Sequence, residues 1–213
     1  MEDLNKRIFM KNKVARYRLL LSKILLLAFI VTLVVFDHGA IANLAISTSL
    51  DVVGFALVLI GGFGRVWASL YIEGNKIGKI ISKGPYSIMR NPLYVFSLIL
   101  LAGYCLAIQS IVVASVSIVL FALIYLPTVY NEEKRLLSAH NQSYESYYQK
   151  TPRFLPKFSI YEESDSGSEI SVNIRNIKNV LVEIAGFIFF FGIIKLLDLL
   201  HHVEVLPIFY ILY

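Results

Sequence analysis

Residues 93–130 read LYVFSLILLAGYCLAIQSIVVASVSIVLFALIYLPTVY, 38 residues without one Asp, Glu, Lys or Arg. A helix needs about 20 apolar residues, within a range of about 17–25, to cross a hydrocarbon core about 30 Å thick. The stretch is too long for one crossing. Its most polar point, Gln109-Ser110, divides it into Leu93–Ile108 and Ile111–Tyr130, which predicts a tight helical hairpin. The first arm would be about 24 Å long at the helical rise, slightly short, so it starts a little inside the headgroups or takes in Asn91 and Pro92.

Working outward, Leu19–Phe36 and Val52–Tyr71 precede this stretch and Val180–Leu200 follows it, giving five predicted spans. Leu19–Phe36 is too long for a signal peptide and lacks a small-residue cleavage site after it. Basic residues alternate with these spans. Lys6, Arg7, Lys11, Lys13, Arg16 and Arg18 precede the first; Lys76, Lys79, Lys83 and Arg90 lie between the second and third. Lys134, Arg135, Lys150, Arg153, Lys157, Arg175 and Lys178 lie between the fourth and fifth. Those are 17 of 20; Lys23, Arg65 and Lys195 fall inside spans, and the opposite side has none. Retention of Lys and Arg on the cytoplasmic side puts the N-terminus in the cytosol and the C-terminus outside. A prokaryotic inner membrane is the expected location.

The fold class that follows is all-α: a polytopic membrane protein of five helices, with a cytosolic amphipathic helix. Residues 1–18 form a basic tail, 19–158 the membrane core, 159–179 a polar linker containing Glu162–Ser171, and 180–213 an additional helix and tail. Composition agrees: 57% of residues are apolar and 16% charged, with mean hydropathy +0.67, against about 45–50% and about 25% in soluble domains. The single Cys105 excludes a disulfide framework and a Cys-based zinc site. The net charge of +5 is a membrane-orientation signal and implies no nucleic-acid partner.

Three cytosolic segments carry polar chemistry. In Lys83–Tyr94, KGPYSIMRNPLY, Gly84-Pro85 makes a turn. Asn91-Pro92 then reads as a helix start, with Asn91 as N-cap and Pro92 in the first helical position. Free N–H groups and the positive dipole end, with Arg90 beside them, suit an anion such as a carboxylate or phosphate. Ordinary helix capping, with an Arg meeting headgroups, accounts for the same residues. Glu132-Glu133, followed by Lys134-Arg135, ends the fourth span; by spacing alone it reads as a charged helix stop. The hairpin changes that weighting, because it brings Glu132 and Glu133 to the face that holds Arg90, Asn91 and Tyr94, with packed helices about 8–10 Å apart. In Asn131–Lys150, Leu136, Leu137, His140, Tyr144, Tyr147 and Tyr148 recur at roughly helical spacing, as on an interfacial amphipathic helix able to roof a site.

At these residues the chain resembles the isoprenylcysteine carboxyl methyltransferase family of integral-membrane methyltransferases. The pattern is Gly84-Pro85-Tyr86, Arg90-x-Pro92-x-Tyr94, a hairpin, Glu132-Glu133, Tyr144-x-x-Tyr147 and Pro152-Arg153-Phe154-Leu155-Pro156, with Arg65-x-Trp67-Ala68 upstream. Asn-Pro-x-Tyr followed by Glu-Glu is also similar to the phosphatidylethanolamine N-methyltransferases. The resemblance implies a methyl donor, S-adenosylmethionine, held on the cytosolic side by Gly84, Pro85, Tyr86, Asn91, Pro92, Tyr94 and Glu132. It gives Arg90, Glu132 and Glu133 the catalytic roles, needs no metal, and implies a membrane lipid or lipidated acceptor entering from the bilayer. The acceptor chemistry it implies is carboxylate methyl esterification of a lipid-like or prenylated acceptor, with phospholipid amine or lipid phosphate methylation as the alternative. The family commonly has Arg-His-Pro where this chain has Arg90-Asn91-Pro92, and Asn, unlike His, exchanges no proton near neutrality. A non-catalytic membrane assembly protein is the rival of another class.

Other features read as structural. Gly61-Gly62-Phe63-Gly64 lies in a span without strand–turn–helix context and suits close helix packing. Arg65 snorkels to the surface or lines the donor site. Cys105 is a small packing residue. His201-His202 is weak as a metal signal, and Lys195 pairs with Asp198 at i, i+3.

Overall fold

A computed structural model describes residues 36–37, 43–74, 80–163, 174–203, 205 and 210–211. Apart from a two-residue parallel pairing of Phe36–Asp37 (β1) with Tyr210–Ile211 (β2), their regular structure is helical. The helices are α1 (Leu44–Gly74), the single turn α2 (Pro85–Ile88), α3 (Pro92–Ile108), α4 (Ile111–Lys150) and α5 (Ile174–His202), with a 3₁₀ turn at Phe158–Ile160. Leu44–Ile72 and Ile111–Ser138 are long and apolar enough to cross a membrane; α3 is apolar but shorter.

Small residues let α1 and α3 lie against one another. A Cβ on Gly61 would stand 2.6 Å from the Leu100 nitrogen, and one on Gly64 would enter the Phe96 ring. Gly54 and Gly103 face each other, a Cβ on either falling within 3 Å of the other's carbonyl oxygen. Without a hydrophobic force between helices in lipid, close backbone approach of this kind supplies the packing. Val58, Leu100, Tyr104, Ala107, Ile108, Val113 and Ile194 form the core, with Phe187, Phe190 and Phe191 of α5 packed on it. Outside, Phe63 of α1 and Leu123 and Leu126 of α4 stay more than half exposed, and exposed apolar side chains in such number mark a membrane or partner interface.

Several element boundaries differ from the sequence expectation. The second predicted span extends back into the expected outer loop: α1 starts at Leu44 because the Asn43 side chain accepts from the N–H groups of Ala45 and Ile46. The fourth span and the amphipathic helix are one uninterrupted helix of 40 residues, about 60 Å at the helical rise. Ser110 caps its start through Val113 N–H, and nothing between Tyr130 and Lys150 breaks it, since that stretch has neither Gly nor Pro. α5 begins at Ile174, inside the expected linker. The first predicted span and residues 164–173 of the linker lie outside the described residues, apart from Phe36 in β1.

Beyond α4 the chain folds back over the short helix α2. Arg90 N–H donates to the Pro152 carbonyl at 2.9 Å, Lys157 N–H to Ile88 at 3.0 Å and Gly84 N–H to Glu162 at 2.8 Å. Glu162 N–H donates to Ser87 Oγ, and its carboxylate pairs with Lys83 and Lys150. Gly84 makes the turn into α2 at φ 59°, with the Tyr71 ring where a Cβ would be. A side chain there would be strained by backbone and neighbour alike.

Candidate active site

Three pieces of chain meet at the start of α3: the α2 turn, Glu132-Glu133 on α4, and the segment after α4. Pro92 opens α3, and Asn91 occupies the N-cap position as expected, its carbonyl accepting from Val95. Its side chain does not cap. Asn91 Nδ2 instead donates to Glu133 Oε1 at 2.9 Å and to the Arg153 carbonyl at 3.3 Å.

Glu133 is the hub. Its Oε1 also accepts from Arg90 Nε at 3.0 Å, and its Oε2 accepts from Arg153 Nε at 3.0 Å and Nη2 at 2.7 Å. The side chains of Arg90 and Glu133 are 8% and 4% exposed. Arg90 Nη1 donates to the carbonyls of Tyr148 and Thr151, at the end of α4, and the guanidinium lies 3.9 Å from the centre of the Tyr148 ring. These charge-assisted bonds satisfy a carboxylate that burial alone would penalise. The hub locks three segments together, and it uses Arg90 Nε and Nη1 as internal donors.

Glu132, the adjacent residue, faces differently. It is half-buried and accepts a hydrogen bond from Tyr94 Oη at 2.9 Å. Tyr94 packs on Tyr125, which packs on Phe121. Beside them lies a cavity of about 450 Å³ whose walls include Tyr86, Asn91, Pro92, Tyr94, Glu132, Tyr144 and Tyr147, with Arg90 and Glu133 behind and Arg135 exposed at the rim. That size is typical of small-ligand sites. The Tyr86 hydroxyl is buried in this wall with no hydrogen-bond partner among the described residues. A buried polar group left unsatisfied is costly, so its position fits a ligand that supplies an acceptor or donor.

Burial, then the charge of Glu132 and the neighbouring Tyr94, raises the Tyr86 phenol well above its ordinary value. Burial likewise raises Tyr147, whose hydroxyl donates to the Tyr86 carbonyl, and pushes Tyr144 up to about 12. Tyr86, Tyr144 and Tyr147 are therefore neutral at physiological pH. Hydrogen bonding to Glu133 raises Arg153 above its ordinary value.

Of the sequence-predicted site residues, Tyr86, Arg90, Asn91, Pro92, Tyr94, Glu132 and Glu133 meet at the cavity. Gly84 and Pro85 are buried outside its wall and set the turn that aims Tyr86. In sequence Arg153 reads as one of the cytosolic basic residues and as part of a motif, not as a site residue; its place on Glu133, 20 residues away, has no local signal. Tyr144 and Tyr147 do line the cavity. Arg65 is not in its wall: the guanidinium donates to Glu183 and to Ser97. Lys195 pairs with Asp198 at 2.9 Å as expected, and also with Asp51. No group of three His, Cys, Asp or Glu among the described residues is placed to hold a metal.

Comparison with known proteins agrees with the motif pattern. The phospholipid methyltransferase family matches residues 38–143, which run from before α1 past Glu133. The chain is 29% identical over 197 residues to the nickel-cobalt-cadmium resistance protein NccN of Alcaligenes xylosoxydans xylosoxydans, covering 92% of this chain and 90% of that one. It is 29% identical over 195 residues to the cobalt-zinc-cadmium resistance protein CzcN of Cupriavidus metallidurans, covering 92% and 88%. No solved structure matches. By the match over residues 38–143, about half its length, the chain belongs to the phospholipid methyltransferase family, within the group of membrane methyltransferases that its motifs resemble.

Proposed function

We propose that the protein is an S-adenosylmethionine-dependent integral-membrane methyltransferase whose acceptor is a membrane lipid headgroup. The observation that carries this reading is the cavity that sets the Glu132 carboxylate beside the buried Tyr86 hydroxyl, which has no partner among the described residues. The residues fit the donor: a carboxylate for its ammonium or ribose, tyrosine rings for a cationic sulfonium, and hydroxyls for its polar edges. When bound, S-adenosylmethionine supplies an electrophilic methyl group.

The chain's own residues then provide position and dryness. Tyr86, Tyr94, Tyr144 and Tyr147 wall the donor in. The Glu133 hub holds Arg90 and Asn91 so that Pro92 and Tyr94 keep their place. Holding two reactants in line and excluding water supply most of the acceleration for a displacement of this type. Arg90 and Arg153 are held on Glu133, while Glu132 keeps a carboxylate at the cavity. That balance, with the family match, favours an amine headgroup over a carboxylate or phosphate, and Glu132 would take up the proton the amine gives up.

The membrane arrangement belongs to the same proposal: five spans, α3 and α4 as a hairpin, the N-terminus and cavity cytosolic, the C-terminus outside, in a prokaryotic inner membrane. The one-sided distribution of Lys and Arg and the apolar lengths of α1 and α4 support it.

The test is incubation of host membranes with methyl-labelled donor, with wild-type protein, with Glu132→Gln and with neither, followed by separation of lipids and proteins. Label in an amine-lipid fraction, lost with Glu132→Gln, supports the reading. Label in the protein fraction supports carboxylate esterification, and no transfer supports an assembly role. The names of the relatives suggest a setting in metal resistance. Growth in cobalt, zinc or cadmium should then depend on this chain and fail to be restored by Glu132→Gln.

A further inference from the structure

We infer that Glu183, on α5 beyond the segment the family match covers, is a positioning residue of the site, acting through Arg65 and Ser97 on the turn of α3 that carries Tyr94. Only its link to donor binding rests on the proposed methyl transfer.

The first observation is how α5 is seated. Asp51 of α1 meets Lys195 at 2.9 Å. The Phe55 and Phe191 rings lie 5.2 Å apart, and Gly62 faces the Phe187 ring. Arg65 meets Glu183 at 2.9 Å. Each step forward along α1 is matched by a step backward along α5, so the two run antiparallel. The two ion pairs have opposite sense: the acid is on α1 at one end and on α5 at the other. A helix seated in the reverse direction would bring Asp51 to Glu183 and Arg65 to Lys195, like charge against like. Between apolar helices such a juxtaposition has little water to relieve it. Direction and register of α5 are thereby encoded in four charges.

The second observation is where the Glu183 end leads. Arg65 donates Nε and Nη2 to Glu183 Oε1, at 3.1 and 2.9 Å, which leaves Nη1 aimed at Ser97 Oγ. The Phe187 ring lies 5.7 Å from the guanidinium. The Ser97 hydroxyl donates to the Leu93 carbonyl at 2.7 Å. Leu93 precedes Tyr94, whose hydroxyl holds Glu132. Without Glu183, Arg65 becomes a lone guanidinium among apolar side chains and turns toward water or headgroups, releasing Ser97 from the first turn of α3.

The experiment uses the full chain in native membranes with Cys105 replaced (C105A) and a cysteine pair, F55C and F191C, treated with a short thiol crosslinker. E183R should lower crosslinking at least about fivefold and R65E/E183R should restore it, a coupling size seen for residues remote from a ligand. Thermal stabilisation of the purified protein by S-adenosylmethionine should need about fivefold more donor in E183R and E183Q, with E183D close to wild type; the double exchange restores the seating of α5 but not the Arg65–Ser97 bond, so its donor requirement should stay raised. Crosslinking indifferent to charge, or equal donor response in E183Q, overturns the inference. If R65E/E183R does not accumulate, the contrast of E183Q with E183D decides. Charge-dependent crosslinking in a protein that never responds to donor would refute the methyl-transfer reading while the seating of α5 stood.

Discussion

In the proposed function two adjacent glutamates divide structure from chemistry. Glu133 is saturated by three side chains, so Glu133→Gln leaves the buried Arg90 without its counter-charge and should cost about 3–5 kcal/mol, seen as a large fall in unfolding temperature in detergent. Glu132 makes a hydrogen bond with Tyr94, so Glu132→Gln should cost only about 0.5–1.5 kcal/mol by the same measurement while abolishing methyl transfer. Tyr86→Phe removes a hydroxyl that has no protein partner among the described residues; stability should hold or rise slightly, and donor affinity should fall. The pH behaviour follows from Tyr86, Tyr144 and Tyr147. Their phenols are raised in the folded state, so the native protein keeps protons that the unfolded chain gives up near its ordinary value of about 10. This contribution is fully present below about pH 10 and is lost as pH climbs toward the value of about 12 at Tyr144. An ultraviolet titration should therefore show a late-ionising subset of tyrosines, with unfolding temperature dropping over the same interval. The difference between Glu132 and Glu133 was not legible in sequence: the two are neighbours on one helix, and Arg90, Asn91 and Arg153 on Glu133 and Tyr94 on Glu132, all distant along the chain, tell them apart.

At the scale of elements, hydropathy made the helices readable but not their ends. The expected break after Tyr130 marked a change of surroundings, from apolar to polar, and a helix can pass through such a change when nothing interrupts its backbone bonding. Residues 131–150 contain no Gly or Pro, and α4 runs on through them. The start of α1 was hidden by Ser47, Thr48, Ser49 and Asp51, which look like loop but follow a good cap at Asn43. The glycine-rich stretch was read correctly as packing, since its small residues face Leu100 and Phe96. Gly61→Val should push α1 off α3 and cost about 1–3 kcal/mol, with a larger loss of methyl transfer than of protein level in the membrane.

For the molecule as a whole, the family segment and the C-terminal helix form one folded unit. Phe187, Phe190 and Phe191 pack on the core built by α1 and α3. Orientation was argued from charges on loops, a signal that long-range contacts do not blur; the partners of Arg65 and Asp51, 118 and 144 residues away, carried no such signal. The proposed topology expects a cysteine at position 79 to react with an impermeant thiol reagent only from the cytosolic side of sealed vesicles. The most direct measurement of the central claim is calorimetric titration of the purified protein with S-adenosylmethionine, for wild type and Glu132→Gln. The account expects saturable binding by wild type at one site per chain and weakening of at least about tenfold in the variant, equivalent to about 1.4 kcal/mol. No binding by wild type, or equal binding by both, would contradict it.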